Sequence, residues 1–211
     1  MRQNPKRIKL IGLTGGIATG KSLTAKAFHR LGVPTVDTDT IAHELLKKGR
    51  LEYYRTVALF GRRILGDKGE IDRNKPARIV FAKGAAAAYL RKRLESILHP
   101  AIWKAVLSFE QAHRRRPSGE VIRHKCKFMV VEVPLLFETG WDKKVDVKIV
   151  VACSKKAMYD RCKKRFRNRI CTQWPLAKKI PLADYIIDSS GPKHLTFPQV
   201  KRLFDLLSNQ S

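Results

Sequence analysis

No apolar stretch of this sequence approaches the roughly 18–20 residues that a membrane-spanning helix needs, so no helical span is expected. Cysteine is scarce. The four present (Cys126, Cys153, Cys162 and Cys171) form no C-x-x-C pair and have no histidines at finger-like spacing. They are expected to be reduced thiols of an intracellular protein, not zinc ligands or a disulfide frame. The basic start, Met1 to Lys9, runs into a short apolar stretch with no small-residue cleavage signal, so no signal peptide is expected and the location is read as cytoplasmic. Internal repeats and low-complexity segments are also missing. The largest shortage is of acid: Asp and Glu number 18 against 44 Lys and Arg, a formal net charge of +26. Such a surplus points to an anionic partner without choosing among nucleic acid, an acidic membrane surface and a polyphosphate metabolite.

What is present has the pattern of an α/β protein. A chain of 211 residues fits one domain with an insertion. Ile8–Thr14 is an apolar run ending in glycines, as a buried strand does, and Ser22–Leu31 carries Leu23, Ala27, Phe28 and Leu31 at helical spacing. Val33–Asp37 reads as a second strand and Ile41–Lys48 as a helix. Leu51 to about Arg116 is helical in pattern, with a turn at Gly66–Gly69 and a break expected at His99-Pro100, where proline opens a new helix. His113–Lys125 reads as a basic surface loop. Lys127–Val133, Val145–Ala152 and Tyr185–Asp188 complete five β-branched strands that alternate with helices, which predicts a parallel sheet covered on both faces. The expected division is a core of about 1–39 and 126–211 with a helical, substrate-facing insertion of about 40–125.

Residues 15–22 read Gly15-Gly16-Ile17-Ala18-Thr19-Gly20-Lys21-Ser22 and satisfy G-x-x-x-x-G-K-[ST] in full. Glycines let the backbone fold so that successive N–H groups point at phosphate oxygens. The helix that follows adds its positive end. Lys21 is then placed for the β- and γ-phosphates of ATP, Ser22 for Mg²⁺, and Leu23 for the nucleotide edge of the loop. The required setting, a strand before and an amphipathic helix after, is met.

The loop alone does not choose a reaction. No N-K-x-D base-reading signature is found, as a GTPase would carry, and no strand ends in Asp-Glu, as in motor-type ATPases. Instead Val36-Asp37-Thr38-Asp39 ends the second strand. Ligands of parallel α/β sheets sit at the carboxyl ends of strands, so these acids are expected to face the loop. A carboxylate there accepts the proton of an attacking hydroxyl, or else caps a helix; for Asp37 both readings stand equally.

Over nearly its whole length the sequence resembles dephospho-CoA kinase. The resemblance is carried by Gly12–Ser22, Asp37-Thr38-Asp39 with Ile41-Ala42, Gly69–Arg73, Ile97-Leu98-His99-Pro100 and Val133-Pro134-Leu135-Leu136-Phe137-Glu138. Arg161 with Arg165, Gln173-Trp174-Pro175-Leu176 with Lys179, and Ala183–Asp188 follow in order. The resemblance implies a P-loop kinase fold, ATP and Mg²⁺ as cofactors, and phosphorylation of the ribose 3′-hydroxyl of dephospho-CoA. It makes Asp39 the base, and Arg161 and Lys21 the cations that meet charge on the transferring group. It sets Thr14, His99, Leu135, Leu136 and Glu138 at the acceptor pocket, and the turn Ser189-Ser190-Gly191 near adenine. The bland readings stand beside these: His99 as a helix-capping histidine, Leu135–Phe137 as a buried strand end, and Glu132 as an ordinary strand-end carboxylate instead of a contact to the Mg²⁺ shell. Residues 161–169, six basic in nine, resemble the family's lid in a shortened form, about 161–179. Pro76 is expected to delay the helix after Arg73. Two alternatives remain at this point: a P-loop kinase of another small hydroxyl acceptor, and a basic nucleic-acid-binding protein on a nucleotide fold, the latter without the interleaved aromatics of RNA-binding modules.

Overall fold

A computed structural model describes residues 7–114, 127–162 and 173–210. Much of the basic loop expected at His113–Lys125, the lid residues 163–172 with Arg165 and Arg169, and Cys126 and Cys171 lie outside them. Five strands form one fully parallel sheet: β1 (Lys9–Gly15), β2 (Thr35–Asp37), β3 (Phe128–Glu132), β4 (Val147–Ala152) and β5 (Tyr185–Asp188). Their spatial order is β2-β3-β1-β4-β5, so the first strand of the chain sits in the middle. The expected doubly covered sheet follows from the strands themselves, since β1 and β3 are buried almost without interruption, as a strand packed on both faces must be.

Eight α-helices occur among the described residues: α1 (Lys21–Arg30), α2 (Thr38–Leu45), α3 (Leu51–Phe60), α4 (Asn74–Val80), α5 (Ala85–Arg114), α6 (Lys155–Cys162), α7 (Leu176–Lys179) and α8 (Thr196–Asn209). The chain divides into two compact units, Met1–Asp37 with Glu110–Ser211, and Thr38–Phe109. In the first, α1 and α8 pack together on the sheet. Phe28 of α1 and Val200, Leu203 and Leu207 of α8 join Ile11, Leu13, Val130, Ile149 and Val151 in one core. The three α8 residues recur every three or four positions, the spacing that puts them on one helical face. In the second unit Tyr53, Phe60, Ile64, Ile71 and Val80 form a separate core, flanked by Leu90 and Leu94 of α5.

Three sequence expectations are corrected here. The break at His99-Pro100 does not occur; α5 runs unbroken from Ala85 to Arg114 with Pro100 inside it. Proline removes the bond that its N–H would give to the Ser96 carbonyl. Both Pro100 and Ser96 lie on the exposed face, so that carbonyl meets water, while Ile102 and Val106 bury the opposite side. Nor does Pro76 delay its helix. α4 starts at Asn74, and Pro76 occupies the first turn, where backbone N–H groups have no helical acceptor to lose. The helix expected from Ile41 also begins earlier, at Thr38, which brings Asp39 into the first turn of α2. The Gly66–Gly69 turn is present, closed by a Leu65–Ile71 antiparallel bridge.

Candidate active site

The phosphate loop is built by the abrupt change from β1 to α1. Gly15 has no room for a side chain: a Cβ there would lie 2.5 Å from the Val151 carbonyl oxygen and 2.7 Å from Thr19 Oγ1. Gly20 caps α1 in the left-handed region (φ 89°), and Ala18 holds φ 58°, a conformation that costs any residue with a Cβ. Thr19, fully buried, ties the loop to itself by donating Oγ1–H to the Gly16 carbonyl at 2.8 Å. Lys21 reaches back across the loop, its Nζ 3.4 Å from the Gly15 carbonyl.

Above this turn lies a cavity of about 350 Å³ lined by Gly16, Ala18, Thr19, Gly20, Lys21, Ser22, Leu23 and Arg161. Two cationic side chains and the N-terminus of α1 face one space, which makes it an anion site by construction. Seven of the expected nucleotide residues line it, together with Arg161 from α6. Ile17 lies in the same loop but is not part of the lining, and Gly15 forms the loop's root. Arg161 is not simply a lining residue. Its Nη2 donates to the carbonyls of Ser189 and Gly191, and its Nη1 to Ser189 Oγ at 3.2 Å. The turn after β5 is itself fixed. Ser190 Oγ donates to Asp188 Oδ1 at 2.6 Å and accepts the Ser154 N–H at 2.8 Å. The Ser190 hydroxyl and amide together hold the Asp188 carboxyl below its usual range. Gln199 brackets the same residue, accepting its N–H and donating to its carbonyl.

A second cluster surrounds Pro134. Its carbonyl accepts from Thr14 Oγ1 at 3.2 Å and from Lys179 Nζ at 3.0 Å. Lys179 is completely buried and pairs with Glu138 at 2.9 Å. Glu138 Oε1 also accepts the Trp174 N–H at 2.7 Å. Of the expected acceptor residues, Thr14, Leu135, Leu136 and Glu138 therefore gather around this turn. Leu136 is fully buried beneath it, its methyls 3.1 Å from where a Cβ on Gly12 would stand, so it supports the turn from below. Leu135 is half-buried.

Asp37 and Glu132 end adjacent strands and are partners in register, which places two carboxylate-bearing residues at the carboxyl edge of the sheet. Asp39, exposed in the first turn of α2, and His99, half-buried in mid-α5, belong to the second unit. Among the described residues no three His, Cys, Asp or Glu side chains gather as a metal cage. The exposed Ser22 hydroxyl beside the cavity suits Mg²⁺, an ion that takes few protein ligands and is carried mainly by phosphate oxygens and water. The resemblance puts Ser189 in the turn expected near adenine, but it does not show that the Ser189 hydroxyl joins Arg161 to the Thr19 carbonyl of the phosphate loop. Sequence reasoning quoted Lys179 and Trp174 without giving them a place in the site.

A family model described as dephospho-CoA kinase matches residues 9–194. The chain is 38% identical over 197 residues to a dephospho-CoA kinase of Geobacillus kaustophilus, covering 90% of this chain and 92% of that one. It is 36% identical to one of Arabidopsis thaliana, over 87% of this chain and 77% of the relative. Among solved structures, dephospho-CoA kinase from Campylobacter jejuni superposes with a TM-score of 0.65 at 25% identity, covering 95% of this chain and 98% of the other.

Proposed function

The chain belongs to the dephospho-CoA kinase family, and on that premise we propose how its residues carry out the family's reaction. That reaction transfers the γ-phosphoryl group of ATP to the ribose 3′-hydroxyl of dephospho-CoA, giving coenzyme A and ADP in the final step of coenzyme A synthesis. The chain is thus a phosphotransferase with an alcohol acceptor.

The loop Gly15–Ser22 binds the triphosphate through its backbone amides, and Lys21 meets the β- and γ-phosphates. Asp39 accepts the proton of the 3′-hydroxyl as its oxygen forms the new bond to phosphorus; the bond from phosphorus to the departing ADP oxygen breaks. Negative charge spreads over the phosphoryl oxygens in this transition state, so the catalytic task of Lys21 and Arg161 is electrostatic. Mg²⁺, held by Ser22 and the phosphates, supplies further neutralisation when bound. The turn Pro134–Glu138 binds the acceptor, the family likeness gives His99 the same task, and the Ser190-Gly191 turn receives adenine. The insertion is the acceptor-binding region. We place the enzyme in the cytoplasm; among the described residues no helix is long and apolar enough to cross a membrane.

The observation that carries this reading is a cavity into which the phosphate loop and Arg161 both open. Its test is an acceptor panel with purified protein, ATP and Mg²⁺. ADP formation is expected only with dephospho-CoA; equal turnover with an unrelated alcohol, or none above background, would remove it.

A further inference from the structure

Ser189 is 3% exposed and directly follows β5. Its N–H donates to the Ala152 carbonyl at 2.8 Å, which continues the pairing with β4 one residue further and leaves that oxygen engaged. A hydroxyl has one proton to give and two lone pairs to offer. The proton goes to the Thr19 carbonyl, 2.5 Å away, since the Ala152 oxygen is farther at 3.2 Å and already bonded. A lone pair accepts Arg161 Nη1 at 3.2 Å, and the Ser189 carbonyl accepts Arg161 Nη2. One small side chain therefore touches both walls of the cavity, the phosphate loop and the arginine. The contact with the loop is close: a Cβ added to Gly20 would stand 3.3 Å from Ser189 Oγ. The anchored carbonyl also follows directly on Ala18, whose left-handed φ of 58° needs outside support when no anion fills the loop.

We infer that Ser189 is a positioning residue for phosphoryl transfer, its buried hydroxyl fixing the strained phosphate loop and the Arg161 guanidinium in one frame before ATP arrives. Pre-setting both groups lowers the ordering cost at binding and directs Arg161 toward the phosphates once they enter. The substrates of the assay rest on the family reading, but nucleotide binding does not.

The experiment uses the full chain, with ADP binding by calorimetry, steady-state kinetics in both substrates, and thermal melts. Ser189→Ala is expected to weaken ADP binding and raise KM for ATP by about 5- to 10-fold, the worth of one buried hydrogen bond. KM for dephospho-CoA should stay within about twofold, a split that a general loss of stability would not produce. Ser189→Cys keeps the volume and replaces a strong donor by a weak one. It should behave like Ser189→Ala, and wild-type constants in the Cys variant would reduce Ser189 to packing and overturn the inference. If the Ala variant melts below assay temperature, the Cys variant alone decides. In an Arg161→Ala background, the Ser189→Ala change should raise KM for ATP by less than it does in wild type. Full additivity would cut the link to Arg161. Absence of turnover in the wild-type protein would defeat the family reading, while the ADP measurements would still judge Ser189.

Discussion

Lys179 and Glu138 form a buried ion pair at 2.9 Å, the lysine with no exposed surface and the glutamate side chain 9% exposed. The lysine also donates to the Pro134 carbonyl and the glutamate accepts from the Trp174 backbone. The pair thus staples the end of α7, and through Trp174 the segment leading into it, to the turn that follows β3. Lys178 reinforces the same junction with its ammonium 3.8 Å from the Trp174 ring centroid.

Removing one partner of such a pair leaves a buried charge without compensation. Lys179→Met is therefore expected to cost about 3–5 kcal/mol of stability. Adding Glu138→Leu to it should recover part of that loss, because the stranded carboxylate goes too. Urea titration of the single and double variants measures both. A double variant as unstable as the sum of its singles would mean that the pair does not act as a unit.

Asp39→Asn keeps the shape of the side chain and removes the base. It is expected to lower kcat by about 10²-fold or more. ADP affinity should hold within about twofold, because the phosphate loop is untouched. Wild-type turnover in this variant would take Asp39 out of the proposed mechanism.

At Gly15 the obstacle to a side chain is backbone, which cannot swing aside. Gly15→Ala sets a methyl 2.5 Å from the Val151 carbonyl oxygen, so either β1 and β4 separate or the loop shifts. ADP binding by calorimetry is expected to fall below detection while the fold survives by circular dichroism. Retained affinity would show that the loop accommodates the change.

The depressed Asp188 carboxyl has a consequence for pH. Its ordinary value is 3.8 and hydrogen bonds from Ser190 hold it lower in the folded protein. The stabilisation is complete above the ordinary value and is lost as pH falls through the folded one. Asp188→Asn should therefore lose less thermal stability than wild type between about pH 5 and pH 2. Parallel loss in both proteins would assign the acid sensitivity to other carboxylates.

Pro100 offers a test of the unbroken α5. At an exposed interior position, Pro100→Ala restores one backbone bond and removes a ring clash, worth up to about 3 kcal/mol. The variant should melt higher. A lower melting temperature would mean that the proline relieves a strain elsewhere in the helix.

Most of the sheet was legible because strands of a parallel sheet leave apolar, Val-rich runs, as in Phe128–Glu132 and, with Lys148 as its one polar residue, Val147–Ala152. The phosphate loop was legible because its glycines answer to local backbone geometry. The course of α5 was not, since a proline's effect depends on which face it occupies, and that is fixed by packing around Ile102 and Val106. The contacts of Ser189 and Lys179 were hidden for the same reason. Nothing adjacent to Ser189 in sequence announces Thr19, 170 positions away, and nothing beside Lys179 announces Pro134, 45 positions away.

The central place of β1 also bears on how the chain acquires its shape at the ribosome. Lys9 is matched to Phe128 and Ile11 to Val147, so the earliest strand to emerge has no neighbour until well over half of the protein has been made. At ordinary elongation rates that wait is on the order of ten seconds. Throughout it, an apolar segment and its glycine-rich continuation stand open to other chains, the kind of exposed strand edge from which aggregation starts.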